Sequence, residues 1–185
     1  MQPREKAGIL KELATGRDAL LDSLRGLPER LSRIRPGPGR WSVIECVEHV
    51  AVSEDFLLAQ MSQAERSEVP VVNQKREAAI LARGADRFPA VMSPEVGYPK
   101  QRFAMLADAV KSFLAARNKT VRFVETRGDD LRSKPMTHPL LGTINCHEAL
   151  LLIVVHPRRH ALQIQEIRVA VGKPAPLRPA GAGGD

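Results

Sequence analysis

Ile9, Leu13, Leu20 and Leu24 recur at close to three- and four-residue steps, the period of one helix face. They predict a first helix over about Glu5 to Leu24, weakened in its middle by Gly16. The pattern stops near Gly26. Leu31 and Ile34 are placed to add a further turn before Arg35-Pro36-Gly37-Pro38-Gly39 breaks any helix. A second helix is expected from Trp41-Ser42 to about Glu65, burying Ile44 or Glu45, Val52, Phe56 and Ala59. Ser42 fits its N-cap, with Glu45 at the capping-box position behind it. Regularity then drops. A short helix through Lys75 to Arg83, ended by Gly84, precedes a loop from Phe88-Pro89 to Ser93-Pro94. A third long helix is expected from Pro94 or Lys100 to Thr126, with Phe103, Leu106, Val110, Leu114, Val121 and Val124 on its buried stripe. Pro135, Pro139 and Gly142 punctuate the next connection, and a fourth long helix follows over about Thr143 to Val171. Little in the chain looks like a strand.

Four amphipathic helices, with one long connection between the second and third, predict an all-α four-helix bundle spanning residues 1–173. Residues 174–185 are rich in Pro, Gly and Ala and read as a flexible tail. In the fourth helix Leu152, Ile153, His156, His160, Gln163, Ile164 and Ile167 share a face, while Leu151, Val154 and Ala161 lie on the other side. No helix of a four-helix bundle is central, so an all-round apolar helix gives weight to a homodimer.

That pattern gives three histidines a special place. Residues four apart on a helix lie about 40° apart around the axis, their Cβ atoms roughly 5–6 Å apart. His156 and His160 have this spacing and can converge on one metal ion, and His49 from a facing helix would complete a three-His site. Three protein ligands leave a coordination position open, the arrangement of a catalytic metal.

Charge and composition narrow the alternatives. The net charge of +7 permits anionic partners, but Lys and Arg are scattered, and 4% aromatics offer few stacking platforms, so nucleic acid is not the expected partner. Cys46 and Cys146 form no CxxC pair, which suits reduced thiols and a cytoplasmic protein. The N-terminus shows no apolar signal core, and the longest apolar run, Ala149 to Val155, is too short to span a membrane.

Trp41-Ser42-x-x-Glu45-x-x-x-His49-Val50, then His138-Pro139-x-x-Gly142, then His156-x-x-Arg159-His160-x-x-Gln163-Ile164, resembles the DinB-like superfamily in order and spacing over roughly residues 5 to 170. That superfamily includes the DNA-damage-inducible DinB proteins and YfiT-like metal-dependent hydrolases. The resemblance implies a four-helix bundle holding a divalent metal, often zinc or nickel, through His49, His156 and His160. It also implies a small-molecule substrate and, in the thiol-dependent members, a low-molecular-weight thiol activated by the metal. Pro157 lies between two of the ligands, where it removes a helix hydrogen bond and is expected to kink or bulge the chain.

Around the triad several residues have two readings. Glu45, one turn before His49, fits an orienting acceptor or general base, and equally the capping box. Gln163 could reach the metal site or a neighbouring backbone. Cys46, three residues before His49, reads as a small buried core residue. His138 is expected to shape the turn into the fourth helix, and His147 to be solvated. Arg158 and Arg159 fit either an anionic substrate or ion pairs with Glu48 or Glu166. Trp41 is expected to anchor one end of the bundle, and Phe88, Met92 and Tyr98 to wall a substrate pocket. Two function classes follow: a metal-dependent hydrolase or thiol transferase, or a non-catalytic bundle whose metal, with Glu45 as a fourth ligand, serves stability or dimerisation as a stress protein.

Overall fold

The computed structural model describes residues 1–68, 72–87 and 93–172. Phe88 and Met92, and the tail 174–185, lie outside the described residues. Six helices are present among them: α1 (Pro3–Leu24), α2 (Glu29–Ser32), α3 (Val43–Gln63), α4 (Gln74–Arg83), α5 (Leu106–Thr126) and α6 (Cys146–Val171). α1, α3, α5 and α6 form a four-helix bundle in which α1 packs along α6, and α3 packs against both α5 and α6. No helix among the described residues is long and apolar enough to cross a membrane.

The helix starts show how local chemistry and tertiary contacts share the work. Ser42 opens α3 with the expected capping box: its backbone N–H donates to Glu45 Oε2 at 2.8 Å, and the Glu45 N–H donates to Ser42 Oγ at 3.4 Å. A second capping box, Asn145 with Glu148, fixes the start of α6 at Cys146, three residues later than the expected Thr143. Thr143 instead belongs to a strand. β2 (Gly142–Asn145) pairs antiparallel with β1 (Pro135–His138), so the connection read as turn residues is a hairpin, closed by Gly142 at φ +67°. α5 also starts late, at Leu106 rather than near residue 94 or 100. The cap is remote: the Glu29 carboxylate of α2 accepts the Leu106 N–H at 3.1 Å.

The buried faces differ from the apolar stripes. α3 buries Ile44 and Glu45 as expected, then Ala51, Glu54, Leu57, Leu58 and Met61, while Ala59 is exposed and Val52 and Phe56 only half-buried. α5 buries Leu106 and Val124 as expected, together with Ala109, Phe113, Ala116, Arg117, Thr120 and Phe123, leaving Phe103, Val110, Leu114 and Val121 half-buried. Both shifts have one cause: Glu54 and Arg117 face inward, where they pair with each other at 2.8 Å.

The core consequently falls into two apolar clusters. One gathers Leu13, Leu57, Met61, Val124 and Leu150; the other gathers Leu20, Val47, Val50, Phe113 and Ile164. By position along each helix, Gly16 (α1), Glu54 (α3), Arg117 and Thr120 (α5), and His156, Pro157 and His160 (α6) fall between the two clusters. This is a polar layer across the middle of the bundle. The outer apolar face of α6 is covered within the chain. Leu151, Val154 and Ala161 are all buried, with α1 and α4 both packed along α6, so this face does not require a second subunit.

Candidate metal centre

α3 and α6 bring His49, His156 and His160 together. Their ligand nitrogens all lie within 4.8 Å of one another. Nε2 of His156 is 3.0 Å from Nε2 of His49 and 2.9 Å from Nε2 of His160. Nitrogens held 2.0–2.1 Å from a tetrahedral ion would be separated by about 3.3 Å, so the cluster has the scale of a metal site.

The protonation states suit ligation. His49 Nδ1–H donates to the Gly97 carbonyl at 2.5 Å, which leaves the lone pair on Nε2, pointing at the other two rings. Burial lowers the pKa of His49, against the raising effect of that hydrogen bond. Burial, followed by mutual repulsion among the three rings, holds His156 and His160 well below 6.5. All three imidazoles are therefore neutral at pH 7, the form that binds metal. Three neutral nitrogens facing one point fit a divalent ion. Nδ1 of His160 is buried without a hydrogen-bond partner among the described residues.

The Gly97 carbonyl is delivered by a segment where the third long helix is expected to begin, at Pro94 or Lys100. A short 3-10 turn, Glu95–Gly97, leads into residues 98–102, which wrap around Glu48. The buried Glu48 carboxylate accepts the N–H groups of Lys100 (2.6 Å) and Arg102 (3.0 Å) and the Arg102 guanidinium (2.7 Å). Gln101 turns the wrap at φ +57°. Position 97 is tight, because a Cβ there would meet Ser53 Oγ at 2.8 Å and His49 Cε1 at 3.1 Å and one of them would have to move. Gly97→Ala should therefore push His49 off its carbonyl and weaken metal binding by about 10–100-fold, with helix content unchanged. Competition against a chelator of known affinity checks this, and unchanged affinity would remove Gly97 from the site.

Pro157 does not scatter the ligands. It deprives the Ile153 carbonyl of its helix donor, and Arg117 Nη2 donates there instead, at 3.3 Å. The same guanidinium binds Glu54 Oε2 at 2.8 Å, and Thr120 Oγ1 donates to Glu54 Oε1 at 2.7 Å. Burial pushes the Glu54 carboxyl upward, while the Arg117 charge and the Thr120 hydroxyl pull it back. Gly16, which reads as a weakness of α1, lies against this break: a Cβ there would lie 2.9 Å from the Val154 carbonyl oxygen and 3.8 Å from Pro157.

The other candidates separate. Both Glu45 oxygens are engaged by Arg35 and by the Ser42 N–H. Burial acts to raise its pKa, but those bonds outweigh it and hold the carboxyl below the usual range. The group that orients His49 is the Gly97 carbonyl, so the structure gives Glu45 its capping role. Cys46 is buried, its thiol pushed well up by burial, and it is not part of the ligand cluster. His138 Nδ1 accepts the N–H groups of Leu140 and Leu141, both at 3.2 Å, and so shapes the hairpin tip as expected. His147 is buried, not solvated: Nε2 lies 3.1 Å from Glu5 and Nδ1 3.4 Å from Glu77, beneath α1 and α4. Arg158 pairs with Glu12, while Glu48 takes Arg102 and Glu166 takes Arg87. Trp41 does more than anchor an end. Its ring lies 4.8 Å from that of His49 and stacks 6.2 Å from that of His160.

The triad lines a cleft of about 1010 Å³. Trp41, half-exposed Tyr98, Arg159 and half-buried Gln163 also line it.

The sequence pattern of the DinB superfamily matches residues 12–164. The chain belongs to the DinB superfamily. The fold agrees with two solved structures. YfiT from Bacillus subtilis, described as a probable metal-dependent hydrolase with an unusual four-helix bundle topology, superposes with a TM-score of 0.63 at 15% identity, covering 93% of this chain and 90% of its own. The four-helix bundle protein TT2238 gives 0.57 at 20% identity, covering 87% of this chain and 98% of its own. No curated protein matches significantly.

Proposed function

We propose that this DinB-superfamily chain is an enzyme that holds a divalent metal, zinc or nickel, through His49, His156 and His160, and directs a small nucleophile at a small electrophile in the cleft. The nucleophile is water, giving hydrolysis, or a low-molecular-weight thiol, giving thiol transfer. The observation that carries this reading is the convergence of three neutral Nε2 atoms on a cleft of about 1010 Å³. Such a volume sits at the upper end of small-molecule pockets, about 300–1000 Å³, and leaves room for two reactants. The description of YfiT as a probable metal-dependent hydrolase supports it.

The ion, when bound, would supply Lewis acidity and lower the pKa of the nucleophile. This chain's residues do the rest. Gly97 fixes the His49 tautomer, Trp41 and Tyr98 shield one side of the centre, and Gln163 offers a polar group to the substrate. The non-catalytic alternative needs a fourth protein ligand, and the candidate for it, Glu45, is committed to Ser42 and Arg35.

Cobalt substitution tests the reading. One equivalent should bind, and adding azide or a small thiol should shift its visible bands, because a coordination position is open. Bands indifferent to both would mark a closed, structural site and overturn the proposal.

A further inference from the structure

We infer that the cleft selects elongated substrates carrying an anionic group at one end and an apolar body at the other, with the reacting centre between them. The inference rests on the proposed metal site and adds the substrate class. Its ground is the order in which lining residues follow one another along α6. Leu152 comes first, then His156, Arg159 and His160, then Gln163 and Glu166. With a rise of about 1.5 Å per residue, this row spans roughly 21 Å. α3 runs the other way. Its Leu57 shares an apolar cluster with Leu150 and Ile153 of α6, while its Val47 shares the other cluster with Ile164 and Ile167. The cleft is therefore apolar beyond one side of the histidines and charged beyond the other.

The apolar end joins Phe56, Leu57 and Leu152. The hairpin tip adds Leu140 and Leu141 to the lining, and their exposures of 50% and 43% are high for leucine. At the charged end cations outnumber anions. Arg40, Arg87 and Arg159 line the cleft there, against Asp86 and Glu166 among the described residues, while Arg83 stands beside Gly84, which abuts Val155 before the histidines. Glu166 is shared: its two oxygens lie 3.1 and 3.3 Å from Arg87, and one lies 4.0 Å from Arg40. Arg159 Nη2 donates to the Arg87 carbonyl at 3.3 Å, which brings the two arginines side by side at this end. The neutral histidines add no negative charge, and Glu45 and Glu48 are neutralised by Arg35 and Arg102. A carboxylate, sulfonate or phosphate group would relieve this crowding of cations, and guanidinium groups bind such oxyanions in fork geometry.

Three probes of equal length separate the possibilities: octane-1-sulfonate, 1-octanol and octyltrimethylammonium, titrated into metal-loaded protein by calorimetry. Sulfonate is a poor metal ligand, so its head reports on the arginines. It should bind about tenfold or more tightly than the alcohol, the value of a charge-assisted hydrogen bond, and the ammonium should bind most weakly. The preference should fall with added salt, and should collapse in Arg159→Gln and in Arg87→Gln while circular dichroism stays unchanged. Leu140→Ser should weaken octane-1-sulfonate but leave butane-1-sulfonate unaffected. Metal-stripped protein should retain part of the preference, so failure of the metal reading and failure of this one are distinguishable. Equal binding of sulfonate and alcohol, or a preference that survives both arginine variants, would overturn the inference.

Discussion

His160→Ala is expected to lower metal affinity by more than about a hundredfold, beyond the 10–100-fold usual for residues that only orient a ligand. Nε2 of His160 lies 2.9 Å from that of His156, and burial holds the ring neutral and ready to donate a lone pair. Two nitrogens cannot keep what three hold. The fold should survive, because alanine is the better helix former and α6 is long and packed on three sides. Two readouts check this. Elemental analysis should find about one equivalent in the parent and almost none in the variant. The emission of Trp41, the lone tryptophan, should respond to added metal in the parent only, since its ring stacks 6.2 Å from that of His160. His138→Ala is the control: that ring holds the hairpin tip and should leave metal content untouched. Stoichiometric metal in His160→Ala would end the triad assignment.

The second large effect concerns stability. Arg117→Met should destabilise the protein by about 3–5 kcal/mol, because it leaves the Glu54 carboxylate buried without its cation. For a chain of this size that lowers Tm by roughly 6–20 °C. It also strips the Ile153 carbonyl of the donor that replaced the missing Pro157 N–H. Replacing both partners, Glu54→Leu with Arg117→Met, should recover most of the loss, since a buried pair is worth little more than apolar packing. The carbonyl supplies the sharper test. Pro157→Ala restores its backbone donor, so Arg117→Met should cost less in that background than in the parent. Equal costs in the two backgrounds, by thermal or denaturant unfolding, would show that Arg117 does not serve the proline break.

Those same residues mark where the sequence could and could not be read. The four long helices, the break at residues 35–39, the Ser42–Glu45 capping box and the end of α4 at Gly84 follow from local rules, and the structure bears them out. The ends of the inward faces of α3 and α5, at Ile44 and Glu45 and at Leu106 and Val124, are where periodicity puts them, but their middles are not, because periodicity counts apolar residues and assigns Glu54 and Arg117 to solvent. Gly97 carries no motif at all: its contribution is a carbonyl, which every residue has, and only the missing Cβ hints at a close approach. His147 followed the same logic, its burial produced by α1 and α4 rather than by its neighbours in the chain.

The sequence by itself determined the helices and put three histidines at spacings that could meet, because helix periodicity, caps and breakers act within a few residues. It also carried the pattern that marks the DinB superfamily. Only the tertiary structure decided which polar groups enter the core and what orients each imidazole. It also decided how Pro157 is accommodated and which charges crowd the cleft. Each of these depends on pairing across helices: Glu54 with Arg117, His49 with Gly97, Ile153 with Arg117 and Glu166 with Arg87. A buried charge or an unpaired carbonyl is costly until its partner arrives, and that partner is chosen by packing rather than by any local signal.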